Sequence, residues 1–201
     1  MSATVAVLLA GGLARRMGGG DKALRTLGGR TLLDHAISRI GPQVAGMVIN
    51  ANGDPARFAL WRLKVVSDPI QGFVGPLAGI LAGMRWAATQ GAEDVVSVPT
   101  DTPFLPGDLV TRLAAARRAS GLPLACAASH GWAHPVIGLW PVALADALET
   151  ALRAGTRRID AWTALHGVAQ ADFEGDPDPF FNANTPEELA QAETLQSRAI
   201  G

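Results

Sequence analysis

Residues 5–22, Val5-Ala6-Val7-Leu8-Leu9-Ala10-Gly11-Gly12-Leu13-Ala14-Arg15-Arg16-Met17-Gly18-Gly19-Gly20-Asp21-Lys22, open as an unbroken apolar run and close as a glycine-rich loop carrying cations. A continuous Val/Leu/Ala run reads as a strand covered on both faces of a sheet, the mark of a parallel α/β core. No basic stretch precedes it, and it runs directly into the loop, so a buried strand is favoured over a secretory signal core. In the loop, glycine lets the backbone approach a ligand at positive φ, and successive N–H groups can then cradle phosphate oxygens. Arg15, Arg16 and Lys22 supply charge suited to a polyphosphate. The loop contains neither Gly-x-x-x-x-Gly-Lys-Ser/Thr nor Gly-x-Gly-x-x-Gly, so it is not a P-loop and a dinucleotide fingerprint is poorly supported. Composition alone leaves two readings level: a phosphate cradle, or an exposed turn with solvated arginines.

Outward from this stretch, short β-rich runs alternate with helical ones. Strands are expected at 4–10, 47–51, 64–67, 94–98, 122–127 and 136–140. Thr31 with Asp34 three residues later, Asp54-Pro55, and Thr185-Pro186-Glu187-Glu188 read as helix starts. Further helices are expected at 76–90, 106–120, 141–154 and 157–166. This alternation predicts an α/β fold: a single three-layer α/β/α domain over residues 1–201 with a mostly parallel, Rossmann-like sheet. After residue 120 the spacing suggests an insertion or an antiparallel strand. Gly79-x-x-x-Gly83 matches a membrane dimer motif, but Arg85 follows closely, so the expectation is a helix packed tightly through small residues.

Composition limits the functions on offer. Among 201 residues, 17 Lys+Arg face 18 Asp+Glu, so the basic excess of a nucleic-acid binder is missing. Neither a membrane span nor a polybasic anchor is visible. The one cysteine, Cys126, reads as a small buried hydrophobe in a strand, with no Cys/His cluster for zinc.

Two aspartates follow expected strands. Asp101 sits in Val98-Pro99-Thr100-Asp101-Thr102-Pro103, and Asp68 follows the run 64–67. Ligands of open α/β sheets bind beyond the carboxyl ends of strands, and a carboxylate there can hold Mg²⁺. Each could instead cap a helix or shape a turn. Asn50 could read a base or ribose through its amide, although Asn50-Ala51-Asn52-Gly53-Asp54 is rich in turn formers and on its own reads as a turn. His134 reads as a turn or strand-start residue rather than an acid or base.

Taken together, the residues resemble the nucleotidyltransferase family and, within it, the molybdenum cofactor guanylyltransferases. The resemblance rests on Leu9-Ala10-Gly11-Gly12, Arg16-Met17-Gly18-Gly19, Asp21-Lys22, Val48-Ile49-Asn50-Ala51-Asn52 and Gly75-Pro76-Leu77-Ala78-Gly79. It continues through Asp101-Thr102-Pro103, His134-Pro135, Gly155-x-Arg157-Arg158 and Asn182-x-Asn184-Thr185-Pro186-Glu187-Glu188-Leu189. The resemblance implies nucleotide contacts from Leu9, Ala10, Gly11, Gly12, Lys22, Asn50, Asp68 and Asp101. It implies catalytic roles for Arg16, Lys22 and Asp101, with Mg²⁺ on Asp101. Related cytidylyltransferases differ in this opening motif, and Gly12, taken as the distinguishing position, favours guanine by the resemblance; Pro99-Thr100 departs from a cysteine common in relatives. The implied substrates are GTP and molybdenum-molybdopterin. The chain to about residue 105 would hold the nucleotide, and the remainder would hold molybdopterin through Arg157, Arg158, Asn182 and Asn184. Read without the resemblance, the two arginines are equally well solvated charges at a helix start, and Asn184 could fix the chain before its cap. The resemblance further implies a cytoplasmic enzyme and allows transient contacts with molybdenum-insertion enzymes or molybdoenzyme chaperones. Alternatives are a CTP- or sugar-phosphate-dependent relative, and a nucleotide-binding regulatory module without turnover.

Overall fold

The computed structural model describes residues 3–11, 21–70, 72 and 75–200, with side chains as far as 198. Strands β1 (Thr4–Leu9), β4 (Met47–Asn50), β5 (Lys64–Val66), β6 (Asp94–Pro99), β7 (Leu124–Ser129), β8 (Trp132–Pro141) and β9 (Val168–Phe173) form one sheet in the order β5-β4-β1-β6-β8-β7-β9. A separate two-stranded ribbon joins β2 (Thr26–Leu27) to β3 (Arg30–Thr31). The helices are α1 (Leu32–Ile40), α2 (Pro76–Thr89), α3 (Leu109–Ser120), α4 (Ala145–Arg153), α5 (Ile159–His166) and α6 (Pro186–Ile200).

Alternation along β1 builds the layers. Ala6, Leu8 and Ala10 face a core completed by Leu33, Ala36 and Ile40 of α1 and Leu109 and Leu113 of α3. Val5 and Val7 face the other core, with Leu77, Ile80 and Met84 of α2, Leu148 and Leu152 of α4 and Trp162 of α5. Helix α2 approaches the sheet closely because it lacks side chains where they would collide. A Cβ at Gly83 would stand 2.5 Å from Val7 Cβ, and one at Gly79 would stand 2.2 Å from Asn50 Oδ1. The two glycines thus serve a tightly packed helix, as expected, and among the described residues no helix is long and apolar enough to cross a membrane.

Strands β5, β4, β1 and β6 are mutually parallel. The chain goes from β1 outward to β4 and β5, then α2 carries it back to β6 on the far side of β1. Strand order therefore reverses between β1 and β6, and the crevice above their carboxyl ends is the expected ligand position. Beyond β6 the sheet changes character. β8 runs antiparallel to both β6 and β7, while β9 is parallel to β7.

Several boundaries differ from expectation. β8 begins at Trp132, not 136, because His130 (φ 50°) and Gly131 (φ 79°) make a tight two-residue turn back from β7. Pro135 is tolerated there because the β7–β8 register shifts: Cys126 pairs with Gly138 and Ala127 with His134, leaving residues 135–137 bulged. β9 and the β2–β3 ribbon were not anticipated. Residues 55–61 form a 3-10 helix, and residues 106–108, 141–144 and 157–158 precede their helices instead of opening them. The helix starts at Thr31 and Thr185 hold as read. Thr31 Oγ1 accepts from Asp34 N–H while Asp34 accepts from Thr31 N–H, and Thr185 and Glu188 reciprocate in the same way. Cys126 is buried in β7, and burial pushes its thiol up to about 11.

Candidate active site

Three segments distant in sequence meet above the carboxyl ends of β1 and β6. Lys22 lies in a 3-10 turn, Lys22–Leu24, and its Nζ bonds both Asp101 Oδ2 and Asn184 Oδ1. Asp101 stands just past β6. Its backbone carbonyl accepts from Ala183 N–H at 2.9 Å, which ties the segment before α6 to the strand end. Asn184 is set by the cap, since its N–H donates to Glu188 Oε2 at 2.6 Å. The Lys22 and Asp101 side chains are only 14% and 18% exposed, so solvent screens their attraction weakly. Asp101 Oδ1 is buried and accepts no hydrogen bond from the described residues. A bare carboxylate oxygen in that setting is what a hard cation or a donor on a ligand would complete.

A second cluster lies above β4 and β5. Asn50, nearly buried at the end of β4, donates from Nδ2 to Asp68 Oδ1 at 3.0 Å and to Val66 O at 3.3 Å. Asn52 Nδ2 donates to Asp68 Oδ2 at 2.8 Å, and its Oδ1 accepts from Asp68 N–H at 2.9 Å. Two amides thus fix the Asp68 carboxylate while leaving lone pairs on each oxygen for further donors. The strand ends between the clusters are pinned together. Ala10 N–H donates to Asn50 O at 2.9 Å, and Leu9 O accepts from Thr100 N–H at 3.4 Å and Oγ1 at 3.3 Å. Leu9, Ala10 and Gly11 therefore run along the floor between Asp68 and Asp101.

Lys22, Asp101 and Asn184 come together, as do Asn50 and Asp68. Gly12 and Arg16 lie outside the described residues. Asn182 is exposed, two residues before Asn184 on the same segment. Arg157 sits beside the start of α2, where a Cβ on Gly75 would lie 3.9 Å from Arg157 O; its Nη1 reaches Thr156 O at 3.4 Å. Arg158 is turned to solvent, 78% exposed, and pairs with Asp160 at 2.5 Å. His134 bonds Ser129 Oγ through Nε2 at 2.8 Å and packs on Phe180; burial lowers its pKa, against the attraction of Asp178.

Two residues of the site escaped the sequence reading as site members, Asn52 and Arg57. Asn52 stood in a quoted motif, two residues after Asn50, and alternation along a strand end was the available signal. For Arg57 the available signal was the Asp54-Pro55 cap, which begins a turn that folds its guanidinium back over residues 52–54.

Residues 6–170 match the MobA-like NTP transferase domain family. A protein from Bradyrhizobium sp. (strain ORS 278) named molybdenum cofactor guanylyltransferase is 56% identical over 198 residues, spanning 96% of this chain and 93% of the relative. One of the same name from Nitrobacter hamburgensis is 54% identical, spanning 96% and 94%. Among solved structures, molybdopterin-guanine dinucleotide biosynthesis protein A from Archaeoglobus fulgidus superposes with a TM-score of 0.78 at 25% identity, covering 97% of this chain and 99% of that one.

Proposed function

Because the chain belongs to the MobA-like NTP transferase family, with molybdenum cofactor guanylyltransferases as relatives along nearly its whole length, we propose that it transfers GMP from GTP to the terminal phosphate of molybdenum-molybdopterin. The observation that carries this reading is the convergence of Lys22, Asp101 and Asn184 in the switch-point crevice. A phosphate oxygen of molybdopterin bonds to the α-phosphorus of GTP, the α–β phosphoanhydride P–O bond breaks, and pyrophosphate leaves with that electron pair. The attacking monoester has a second pKa of about 6 and is largely a dianion at neutral pH, so no strong general base is required. His134, bonded to Ser129 and stacked on Phe180, is accordingly not assigned as one.

The chief barrier is the approach of two polyanions, and the chain's own groups address it. Lys22 and Arg16 are assigned to the triphosphate as its positive charges, and Leu9, Ala10, Gly11 and Gly12 are assigned to it as nucleotide contacts. Asn50 and Asp68 take the nucleoside end. Asn182, Asn184, Arg157 and Arg158 are assigned to molybdopterin, Asn184 with the best support because it already shares Lys22 with Asp101. Asp101 would hold Mg²⁺ through Oδ1, the oxygen without a partner among the described residues. Such an ion would complete its shell with water and phosphate oxygens. When bound, Mg²⁺ supplies positive charge to the leaving pyrophosphate. The proposal places the enzyme in the cytoplasm and has it pass its product to molybdenum-insertion enzymes or molybdoenzyme chaperones.

A nucleotide panel with molybdopterin and Mg²⁺, scored by pyrophosphate release, tests the reading. Release from GTP alone is expected. Release from CTP, or only with a sugar phosphate as acceptor, would replace it with the corresponding transferase.

A further inference from the structure

The two clusters are linked by one guanidinium. Arg57 Nε lies 2.5 Å from Asp21 Oδ2, an ion pair although the N–H does not point along the line of a good hydrogen bond. The two terminal nitrogens reach the turn at residues 52–54. Nη1 donates to Asp54 O and Nη2 to Asn52 O, each at 2.6 Å. Asp21 immediately precedes Lys22, and its carbonyl accepts from Leu24 N–H at 3.2 Å, so holding Asp21 holds the turn that carries Lys22. Asn52 is the residue whose amide fixes Asp68. The turn is shaped for this clamp: Gly53 has φ 86°, and a Cβ there would stand 3.2 Å from Arg57 Nη1. The Asp21 and Arg57 side chains are 15% and 25% exposed, shielded enough for the pair to matter.

We propose that Arg57 is a positioning residue that sets the distance between the triphosphate end and the nucleoside end of the site, by clamping Asp21 to the Asn52–Asp54 turn. The inference rests on the nucleotide reading above. A planar fork suits the task because it holds two carbonyls and a carboxylate in one fixed geometry, whereas the donors of a lysine rotate on a flexible stem. Arg57 touches no reacting atom; it preorganises groups that do.

The test is GTP titration and steady-state kinetics on Arg57→Gln, Asp21→Asn and the double variant, with thermal melting to confirm that each is folded. Each single variant should weaken GTP binding about tenfold. The double variant should bind no worse than the weaker single, because both cut the same link. The loss should appear in KM for GTP and, because the same turn carries Lys22, also in kcat, with KM for molybdopterin nearly unchanged. A folded Arg57→Gln that binds GTP as the wild type does, or losses that multiply in the double variant, would overturn the clamp alone. Failure of the wild-type chain to bind GTP would overturn the nucleotide reading and the clamp with it.

Discussion

Strand β6 opens on one aspartate, Asp94, and is followed two residues past its end by another, Asp101, and the two are built differently. At its amino end, Asp94 is 8% exposed, and Arg117 grips both of its oxygens, each at 2.6 Å. At its carboxyl end, Asp101 shares Oδ2 with Lys22 and leaves Oδ1 without a partner among the described residues. The lower pair is closed. A rigid fork satisfies a whole carboxylate, and that bonding raises the pKa of Arg117 despite its burial. The upper pair is open. Lysine is a point charge on a flexible stem that can move to a phosphate, and the free oxygen keeps a place for another charge. A buried acceptor left unpaired is unfavourable by about 1–3 kcal/mol, and a ligand's donor or a cation would relieve it. The same residue type at the two ends of one strand has complete bonding below and an open oxygen above, which is why the proposed function rests on the upper one.

That contrast can be broken by mutation. The largest effect is expected for Asp101→Ala, which should lower GMP transfer by about a hundredfold or more while the melting temperature stays near wild type. Asp94→Ala should do the reverse. Stranding the Arg117 guanidinium should cost about 2 kcal/mol in urea unfolding, with activity per folded molecule retained. Equal loss of turnover from both would erase the distinction. Gly79→Ala tests the floor between the clusters. Its methyl would meet Asn50 Oδ1 at 2.2 Å and Leu9 Cδ2 at 2.7 Å, so stability should fall by about 1–3 kcal/mol and KM for GTP should rise as Asn50 releases Asp68.

The smallest effect concerns pH and asks whether either end of β6 governs it. Burial lowers the His134 pKa below its usual 6.5. The unfolded chain therefore takes up the proton first on acidification. The stabilisation from neutral His134 is complete above pH 6.5 and is lost as pH falls from there through the depressed folded value. Unfolding free energy followed between pH 5 and 8 should show this slope in wild type and lose it in His134→Gln, while Asp94→Ala keeps it.

Legibility followed the same division. β1, β4 and β6 are buried on both faces, so their apolar runs stand out, and the reciprocal caps at Thr31 and Thr185 announce their helices. β9 escaped notice because Val168–Phe173 alternates Ala with exposed Gln and Asp at the sheet edge, a composition with little β preference. The turn at His130-Gly131 and the bulge at Pro135 hid the first residues of β8. In the candidate site, Asp68 and Asp101 were visible because each follows a strand by two residues. Arg57 was not, because its partner Asp21 lies 36 positions earlier and the two meet only once the residues 55–61 have coiled back. Pairings set by tertiary distance leave no local trace, whereas strand ends and caps do.

The central claim is that Lys22 and Asp101 form one site for a triphosphate and its metal. It is tested most directly by measuring GTP affinity against Mg²⁺ concentration in wild type and in Asp101→Asn, which keeps the side chain's shape. Mg²⁺ should tighten GTP binding in the wild type and have little influence in the variant. The same Mg²⁺ dependence in both would contradict the account, because the ion would then be held elsewhere.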